Sequence, residues 1–219
     1  MKLVIHTDWL RVYDDVLSKA DCNALIQHGI KTSWKKSGTL NPDNNETKYR
    51  TSSDIALTLE NHQNLILSKI IEQVSGYDIR NQESTSLLKY EPGEQYRPHH
   101  DYFDENFPEG RKAIGNRGNR VMTGLIFLND NFTGGQTQFY NEDQSPGITV
   151  HPKRGRLLLW MNMNIIYNYA NVIKRKNIKS MHAGLPVISG TKYCAVKWIR
   201  ETVPNKELAN EPNRTTTSR

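Results

Sequence analysis

The residues best placed to do chemistry are two His-x-Asp pairs, one at His6 and Asp8 and the other at His99 and Asp101. The second pair falls in a predicted β-strand. Alternate side chains of a strand share a face, so its imidazole and carboxylate point the same way and His100 points oppositely. One carboxylate with two histidines is the facial triad that holds Fe(II) and leaves coordination positions open. The first pair reads as structural because a helix is predicted to follow it.

A second histidine ligand must come from the remaining members of a set of seven. His28 and His62 fall on predicted helices, and His151, next to Pro152 at a strand end, reads as a surface residue. His182 lies in a predicted strand that is followed by a turn and another strand. We therefore take His182 as the candidate, although this pattern alone favours an ordinary core or surface histidine and the support comes from the next strand.

The strand after this histidine contains an informative lysine. Alternation within Thr191–Arg200 puts Lys192 on the same face as Cys194, Val196 and Trp198. A buried lysine needs a carboxylate partner or loses its charge, and no acidic residue nearby in sequence supplies one. A dicarboxylate ligand such as 2-oxoglutarate would supply it. The alternative is a strand with its faces reversed, which leaves Lys192 in solvent.

Two helices are predicted in the N-terminal third of the chain. The first is capped by Ser18, with Asp21 in its first turn and Gly29 just beyond its end. The second runs from about Thr58 to Val74 and is stopped by Gly76. We expect both helices to pack on a sheet rather than to do chemistry.

From about residue 84, short β-rich runs alternate with turns, which is typical of a sandwich or barrel. The predicted strands are Ser84–Tyr90, Gln95–Phe103, Arg120–Leu128, Gln136–Tyr140, Ile148–Val150, Leu157–Trp160, Ser180–His182 and Thr191–Ile199. Residues 37–49 and 104–119 are predicted to be loops, and the basic run Lys174–Lys176 also reads as loop. Loops as long as these are often functional lids.

Composition fits a single domain. The 219 residues are 36% hydrophobic and 24% charged, which allows a sizeable core. We expect one domain at 1–203, with a helical support region at 1–80 and a β-rich core at 84–201, followed by a polar tail at 204–219. Two cysteines, Cys22 and Cys194, are too few for a disulfide framework and read as buried.

Charge and targeting signals indicate few partners. The net charge of +6 is spread along the chain, so a nucleic-acid partner is not expected. No apolar run is long enough to cross a membrane, and the N-terminus does not read as a signal peptide. These features favour a cytoplasmic monomer.

Several segments together resemble the prolyl 4-hydroxylase family of Fe(II)/2-oxoglutarate-dependent dioxygenases, in the small form found in bacteria, viruses and algae. Residues 90–103 (YEPGEQYRPHHDYF) resemble its first iron-binding segment and residues 180–199 (SMHAGLPVISGTKYCAVKWI) its second. Residues 134–139 (GGQTQF) are similar to its Gly-Gly-x-Thr hairpin, and residues 49–53 (YRTSS) to its Arg-Thr-Ser strand. The resemblance spans about residues 10–200.

The resemblance implies a mainly β fold, a double-stranded β-helix (jelly roll) with N-terminal helices packed on its major sheet. It implies an iron site and a cosubstrate site for 2-oxoglutarate. The implied iron ligands are His99, Asp101 and His182. The implied 2-oxoglutarate residues are Lys192, Tyr90 and Thr123. The implied substrate-binding residues are Tyr96, Trp198, Arg200, Arg120 and Arg50. The chain departs from many relatives at Tyr193, where they have Trp, and at Arg200, where they often have His on the substrate side.

The activity implied is hydroxylation of C4 of prolyl residues in a peptide or protein, of the procollagen-proline 4-dioxygenase type. The cofactors implied are Fe(II), 2-oxoglutarate, O2 and L-ascorbate, with succinate and CO2 as co-products. Residues 37–49 and 104–119 would close over an extended peptide. Two alternatives remain open: an oxygenase of the same fold acting on another side chain or a nucleobase, and a non-catalytic jelly-roll module that binds peptides.

Overall fold

The computed structural model describes residues 1–38, 49–58, 61–168 and 171–203. Most of the predicted loop at 37–49 and the whole predicted tail at 204–219 lie outside these residues. Within them, no helix is long and apolar enough to cross a membrane.

Sixteen strands and three α-helices are described. The strands are β1 (Lys2–His6), β2 (Leu10–Asp14), β3 (Lys35–Lys36), β4 (Ser53–Ala56), β5 (Ser86–Tyr90), β6 (Tyr96–His99), β7 (Arg120–Phe127), β8 (Thr133–Gly134), β9 (Thr137–Tyr140), β10 (Pro146–Val150), β11 (Leu157–Met161), β12 (Met163–Asn168), β13 (Asn171–Lys176), β14 (His182–Gly184), β15 (Val187–Ser189) and β16 (Lys192–Arg200). The helices are α1 (Lys19–Ile30), α2 (His62–Ser75) and α3 (Pro108–Ile114).

Two sheets face each other across an apolar layer. The major sheet has eight strands in the order β1-β2-β11-β7-β16-β5-β4-β3, and the minor sheet has four in the order β10-β9-β14-β6. Phe139 and Val150 of the minor sheet pack in one buried cluster with Leu158, Phe127 and Val196 of the major sheet. This confirms the expected mainly β jelly-roll core.

The opposite face of the major sheet is covered by α1 and α2. Leu25 of α1 and Leu67 and Ile71 of α2 are buried in a second cluster with Ala195 and Ile199 of β16. Because both faces of β16 are covered, its successive residues alternate between two apolar layers rather than between core and solvent. The N-terminal helices thus support the sheet, as the resemblance implies.

The start of α1 and the end of α2 follow the sequence signals. Ser18 and Asp21 form a capping box at the start of α1, and Gly76, at φ +77°, ends α2 in the left-handed region. The prediction that Gly29 lies beyond α1 is wrong, since the helix continues to Ile30. A Cβ on Gly29 would lie 2.5 Å from the ring of Trp34, so this glycine serves close packing rather than termination. Helix α2 begins at His62 rather than near residue 58.

Three elements were not expected from the sequence. Strands β1 and β2 form a hairpin at the N-terminal end of the described chain, where the sequence predicted a helix after His6. Residues 104–119 contain α3, which begins at Pro108 and is followed by Gly115, so they are not simply a loop. The run Lys174–Lys176 belongs to β13, which pairs with β12 in a separate two-stranded ribbon. Strand β1, the described side chains of the β12–β13 ribbon and the short helix α3 bury little apolar surface, so they leave a weak periodic signal.

Candidate metal centre and cosubstrate pocket

The candidate iron ligands converge at the edge of the minor sheet. Strand β6 carries His99 and pairs with β14, where His182 lies directly opposite it. Strand β6 ends at His99, so Asp101 follows the strand instead of lying on it as predicted. Its carboxylate nevertheless lies 3.7 Å from Nε2 of His99 and 3.8 Å from Nε2 of His182.

These three side chains offer ligand atoms within 4.8 Å of one another. Two imidazoles and one carboxylate are the ligand set of a non-haem Fe(II) site. Within the described residues this is the one such group of histidine, cysteine and acidic side chains. The other pair, His6 and Asp8, is exposed and lies outside it. His28 and His62 lie on helices and His151 is exposed, as expected.

Hydrogen bonds orient both imidazoles. Nδ1 of His99 lies 2.7 Å from the carbonyl oxygen of Arg97, and Nδ1 of His182 lies 2.8 Å from the carbonyl oxygen of Ser180. A carbonyl accepts, so each Nδ1 carries the proton and each Nε2 keeps its lone pair for a metal.

The carboxylate ligand is held by a short chain of polar side chains. The hydroxyl of Thr123 donates to Oδ2 of Asp101 at 2.8 Å and accepts from Nδ2 of Asn162 at 2.8 Å. Thr123 and Asn162 are fully buried, which fixes the chain in one arrangement.

The protonation states suit metal binding. Burial, with the neighbouring His182, lowers the pKa of His99 well below its ordinary value, so the ring is neutral at pH 7. For Asp101, burial raises the pKa, but the His182 and His99 rings and the Thr123 hydrogen bond outweigh it and lower the pKa overall. The site therefore offers a neutral His99 imidazole and an ionised Asp101 carboxylate.

Lys192 is buried on the interior face, so the alternative in which it lies in solvent is wrong. Its side chain is 2% exposed, and its Nζ donates to the carbonyl oxygen of Gly135 at 2.7 Å. Among the described residues it forms no ion pair. Burial lowers the pKa of Lys192, because no buried anion compensates its charge. An unpaired buried ammonium is a site for an anionic group.

A small inner cavity of about 40 Å³ joins this lysine to the metal site. Tyr90, Thr123, Lys192 and the metal ligands all line it. A Cβ on Gly184 would be 3.9 Å from both Nζ of Lys192 and Oη of Tyr90, so the ammonium and the phenol face the same spot. Burial raises the pKa of Tyr90 to about 12, which keeps the phenol as a hydrogen-bond donor.

Sequence reasoning missed Thr137. This residue is 2% exposed and lines the inner cavity, and its hydroxyl has no hydrogen-bond partner among the residues that the structure describes. A buried hydroxyl without a partner marks a place where a polar ligand group belongs. The sequence did contain a signal for this residue, since Thr137 is the threonine of the Gly-Gly-x-Thr hairpin, but no role was assigned to it. The donor set of this cavity therefore fits a carboxylate next to a metal.

An open cleft of about 410 Å³ lies on the other side of the metal ligands. Tyr96 lines it with its ring stacked 3.4 Å from that of His99, centroid to centroid. The guanidinium of Arg50 lies 4.8 Å from the centroid of the Tyr96 ring, and that of Arg120 lies 3.8 Å from that of Trp198. These four residues, all expected to bind substrate, line the cleft together.

Arg200 lies elsewhere than expected. It is 6% exposed and does not line the cleft. Its guanidinium pairs with Glu83 at 3.1 Å and donates to the carbonyl oxygens of Ala113, Ile114 and Gly118. Arg200, which was expected to face the substrate, is therefore directed away from the cleft: its Nη1 pairs with Glu83, and its Nε and Nη2 donate to the segment that contains α3.

The family model of the 2OG-Fe(II) oxygenase superfamily matches residues 85–200. Prolyl 4-hydroxylase 2 of Arabidopsis thaliana is 30% identical over 225 residues, which cover 92% of this chain and 70% of that protein. Prolyl 4-hydroxylase subunit alpha-1 of Homo sapiens is 28% identical over 195 residues, which cover 86% of this chain and 34% of that protein. The chain thus spans about a third of the length of the animal subunit.

Solved structures share the fold. The viral collagen prolyl hydroxylase of Paramecium Bursaria Chlorella virus-1, in its 2OG complex, superposes with a TM-score of 0.64 at 22% identity, over 89% of this chain and 97% of that one. A Pseudomonas putida prolyl-4-hydroxylase superposes with a TM-score of 0.61 at 16% identity, over 90% and 94%. The chain belongs to the 2OG-Fe(II) oxygenase superfamily and, within it, to the prolyl 4-hydroxylase family.

Proposed function

We propose that this enzyme hydroxylates C4 of prolyl residues in a peptide or protein substrate. The observation that carries the proposal is the continuity of three parts: an open aromatic cleft, the His99–Asp101–His182 group at its floor, and the inner cavity that ends at Lys192. The cleft admits a chain from outside, and the inner cavity ends at the buried ammonium of Lys192, which suits the carboxylate of a small anion.

The chemistry supplied by bound Fe(II) and 2-oxoglutarate is oxidative decarboxylation to succinate and CO2, coupled to insertion of one oxygen atom of O2 at the substrate carbon. His99, Asp101 and His182 would hold the iron. Lys192, with the hydroxyls of Tyr90 and Thr137, would bind the distal carboxylate of the cosubstrate at the inner end of the cavity. The protein thereby orients both groups and excludes water.

Thr123 contributes to this site through Asp101. Its hydroxyl proton points to the ligand carboxylate at 2.8 Å, while Asn162 donates to its oxygen. We infer that Thr123 positions the metal ligand in addition to lining the cosubstrate cavity. L-Ascorbate is proposed as the reductant that restores Fe(II) after uncoupled turnover, and the monomer as the working unit.

The test is a panel of single-proline and proline-rich peptides incubated with protein, Fe(II), 2-oxoglutarate and ascorbate. Mass spectrometry should find one added oxygen atom on proline, amino-acid analysis should identify 4-hydroxyproline, and succinate should form in equal amount. His182→Ala should abolish both products and lower iron content. Turnover of 2-oxoglutarate on a lysine, arginine or nucleobase substrate, with none on prolyl peptides, would contradict the proposal.

A further inference from the structure

Among the described residues, acidic and guanidinium side chains line the outer cleft in equal number, so its charge depends on which of them are paired. Two carboxylates line it: Asp101, which belongs to the metal site, and Asp104, which pairs with Lys176 at 3.0 Å. Two guanidiniums line it as well, those of Arg50 and Arg120. The charge that a substrate meets therefore depends on whether the protein itself neutralises Arg50 and Arg120.

Arg50 is a cation without an acidic partner in the part of the chain that the structure describes. Its Nε donates to the hydroxyl of Ser52 at 3.1 Å, and its Nη1 donates to the carbonyl oxygen of Gly38 at 3.2 Å. Both acceptors are neutral, so they orient the guanidinium without cancelling its charge. Arg50 lines both the outer cleft and the inner cavity, which places its charge where the two meet.

Arg120 belongs to a cluster in which arginines outnumber acids. It forms two parallel hydrogen bonds with Glu83, at 2.9 and 2.8 Å, but Glu83 also pairs with Arg200 at 3.1 Å. Arg117, behind them, donates to three backbone carbonyl oxygens. Arg120 and Arg200 thus share the Glu83 carboxylate, and Arg117 adds a third cation that bonds only carbonyl oxygens, so the charge of Arg120 is only partly offset.

Neighbouring charges do not offset this excess. Glu105 and Glu109, on the segment that borders the cleft, are matched by Arg111 and Lys112 of the same segment. The metal site contributes nothing once loaded, because the charges of Fe(II), the Asp101 carboxylate, 2-oxoglutarate and Lys192 sum to zero. Among the described residues, a substrate entering the cleft therefore meets the unpaired charge of Arg50 and the partly offset charge of Arg120.

We propose that this enzyme selects acidic substrates, namely prolines with an aspartate or glutamate one to three residues away whose carboxylate pairs with Arg50. The hydroxylation reaction in this inference rests on the proposed function, whereas the preference for acidic substrates rests on the charges of the cleft. Arg50 lies 4.8 Å from the Tyr96 ring, and that ring lies 3.4 Å from the ring of His99. An extended peptide rises about 3.1 Å per residue, so a carboxylate a few residues from the target proline spans this separation.

The experiment uses three single-proline peptides that differ at one position, two residues from the proline, which holds Glu, Gln or Lys. Binding to the metal-free protein is measured by fluorescence anisotropy of labelled peptides, and hydroxylation by the loaded enzyme is measured by mass spectrometry. The Glu peptide should show a Kd and a KM about three- to fivefold lower than the Gln peptide, as expected for one exposed ion pair. The Lys peptide should be weaker than both, and the differences should shrink in 0.5 M salt.

Arg50→Gln should abolish the preference for Glu over Gln, whereas Arg50→Lys should keep part of it. Lys2→Gln is the matched control, because Lys2 is an exposed cation on β1, at the far edge of the major sheet. It removes the same net charge and should keep the preference. Equal Kd and KM values for the three peptides, or a preference that survives Arg50→Gln, would overturn the inference. Selective binding of the Glu peptide without hydroxylation would support it while contradicting the proposed prolyl reaction.

Discussion

His100 points away from the metal, yet its ring joins the two segments that carry the ligands. Its Nδ1 lies 3.0 Å from Oγ of Ser180, and that hydroxyl donates to the carbonyl oxygen of Asn177 at 2.6 Å. The hydroxyl therefore accepts from His100. The carbonyl oxygen of the same Ser180 accepts from His182, so one serine links His100 to the third ligand. Hydrogen bonds of this kind fix the orientation of metal ligands.

His100→Ala is expected to weaken Fe(II) binding about tenfold, because outer partners of metal ligands are worth that much or more. His100→Asn should restore most of the affinity, since an asparagine Nδ2 donates from nearly the position of Nδ1. Metal titration of the apoprotein measures both, and His151→Ala, at an exposed histidine, is the control. Equal Fe(II) affinity in His100→Ala and wild type would mean that the link from His100 through Ser180 does not affect metal binding.

Lys192 should destabilise the protein that lacks cosubstrate. Burial lowers its folded-state pKa below the value of an unfolded lysine, so the unfolded chain binds more protons between the two pKa values. This group therefore makes stability rise with pH up to the ordinary lysine pKa, about 10.4. An anion beside Lys192 would remove the penalty.

Lys192→Met should raise the stability of the cosubstrate-free protein by about 1 kcal/mol, since an apolar side chain of similar length replaces an uncompensated charge. The same change should abolish the rise in Tm that 2-oxoglutarate gives with an inert divalent metal, a rise worth about 2.7 kcal/mol at a hundredfold excess over Kd. Thermal unfolding with and without 2-oxoglutarate measures both effects. A Tm rise that persists in the variant would refute the role of Lys192.

At the scale of elements, strand β16 shows what the sequence could and could not predict. Alternation correctly placed Lys192 inside. It gave no sign that Lys197, on the opposite face, is also buried, at 3% exposure, with Asn64 and the backbone of Glu83 as partners. Those partners come from distant segments, so spacing along the strand cannot reveal them. The sequence argument paired His99 with Asp101 because alternate residues of a strand share a face. Asp101 in fact lies beyond the end of β6, but its position two residues after His99 still brings the two side chains together.

Arg200 shows the same limit from the substrate side. The resemblance implied a place for Arg200 on the substrate side, but the guanidinium is long enough to reach the carbonyl oxygens of Ala113, Ile114 and Gly118. Helix α3, which no periodic signal indicated, supplies two of these acceptors. The segment that borders the cleft is thus fixed by one side chain of the major sheet.

Arg200→Met is expected to destabilise the protein by about 3 kcal/mol, because it leaves Glu83 with one partner fewer and several buried carbonyl oxygens unpaired. Amide hydrogen exchange should accelerate at 108–118 more than in β7 or β16. Urea denaturation gives the global effect, and Arg175→Ala, at an exposed arginine of β13, should change stability little. Unchanged exchange at 108–118 would show that other contacts hold this segment.

At the scale of the whole molecule, the site exists only where the two sheets close. The metal ligands lie on or beside β6 and β14 of the minor sheet, while Tyr90, Thr123 and Lys192 belong to β5, β7 and β16 of the major sheet. Neither sheet alone offers both the metal group and the anion group. The stability of the sandwich therefore controls the integrity of the site.

An ion cluster at the start of β11 helps to hold the edge of the sandwich and should make it sensitive to acid. Asp14 of β2 pairs with Arg156 at 2.6 Å and with Lys153 at 2.8 Å. The hydrogen bond from Arg156 and that from Lys153 outweigh burial and lower the pKa of Asp14 from 3.8 to about 2. The folded-state pKa is depressed, so this stabilisation is present above pH 4 and is lost as the pH falls from about 4 to 2.

Asp14→Asn should therefore lower the free energy of unfolding at pH 7, and its difference from wild type should narrow as the pH falls to 3. The reason is that protonation of wild-type Asp14 removes the same charge that the substitution removes. Urea denaturation at a series of pH values measures the difference directly. Asp15→Asn is the matched control, because Asp15 is largely exposed and lies 3.9 Å from Lys153, so its effect should be small at every pH. A constant difference between wild type and Asp14→Asn from pH 7 to pH 3 would show that the cluster stabilises the sandwich through packing rather than through charge.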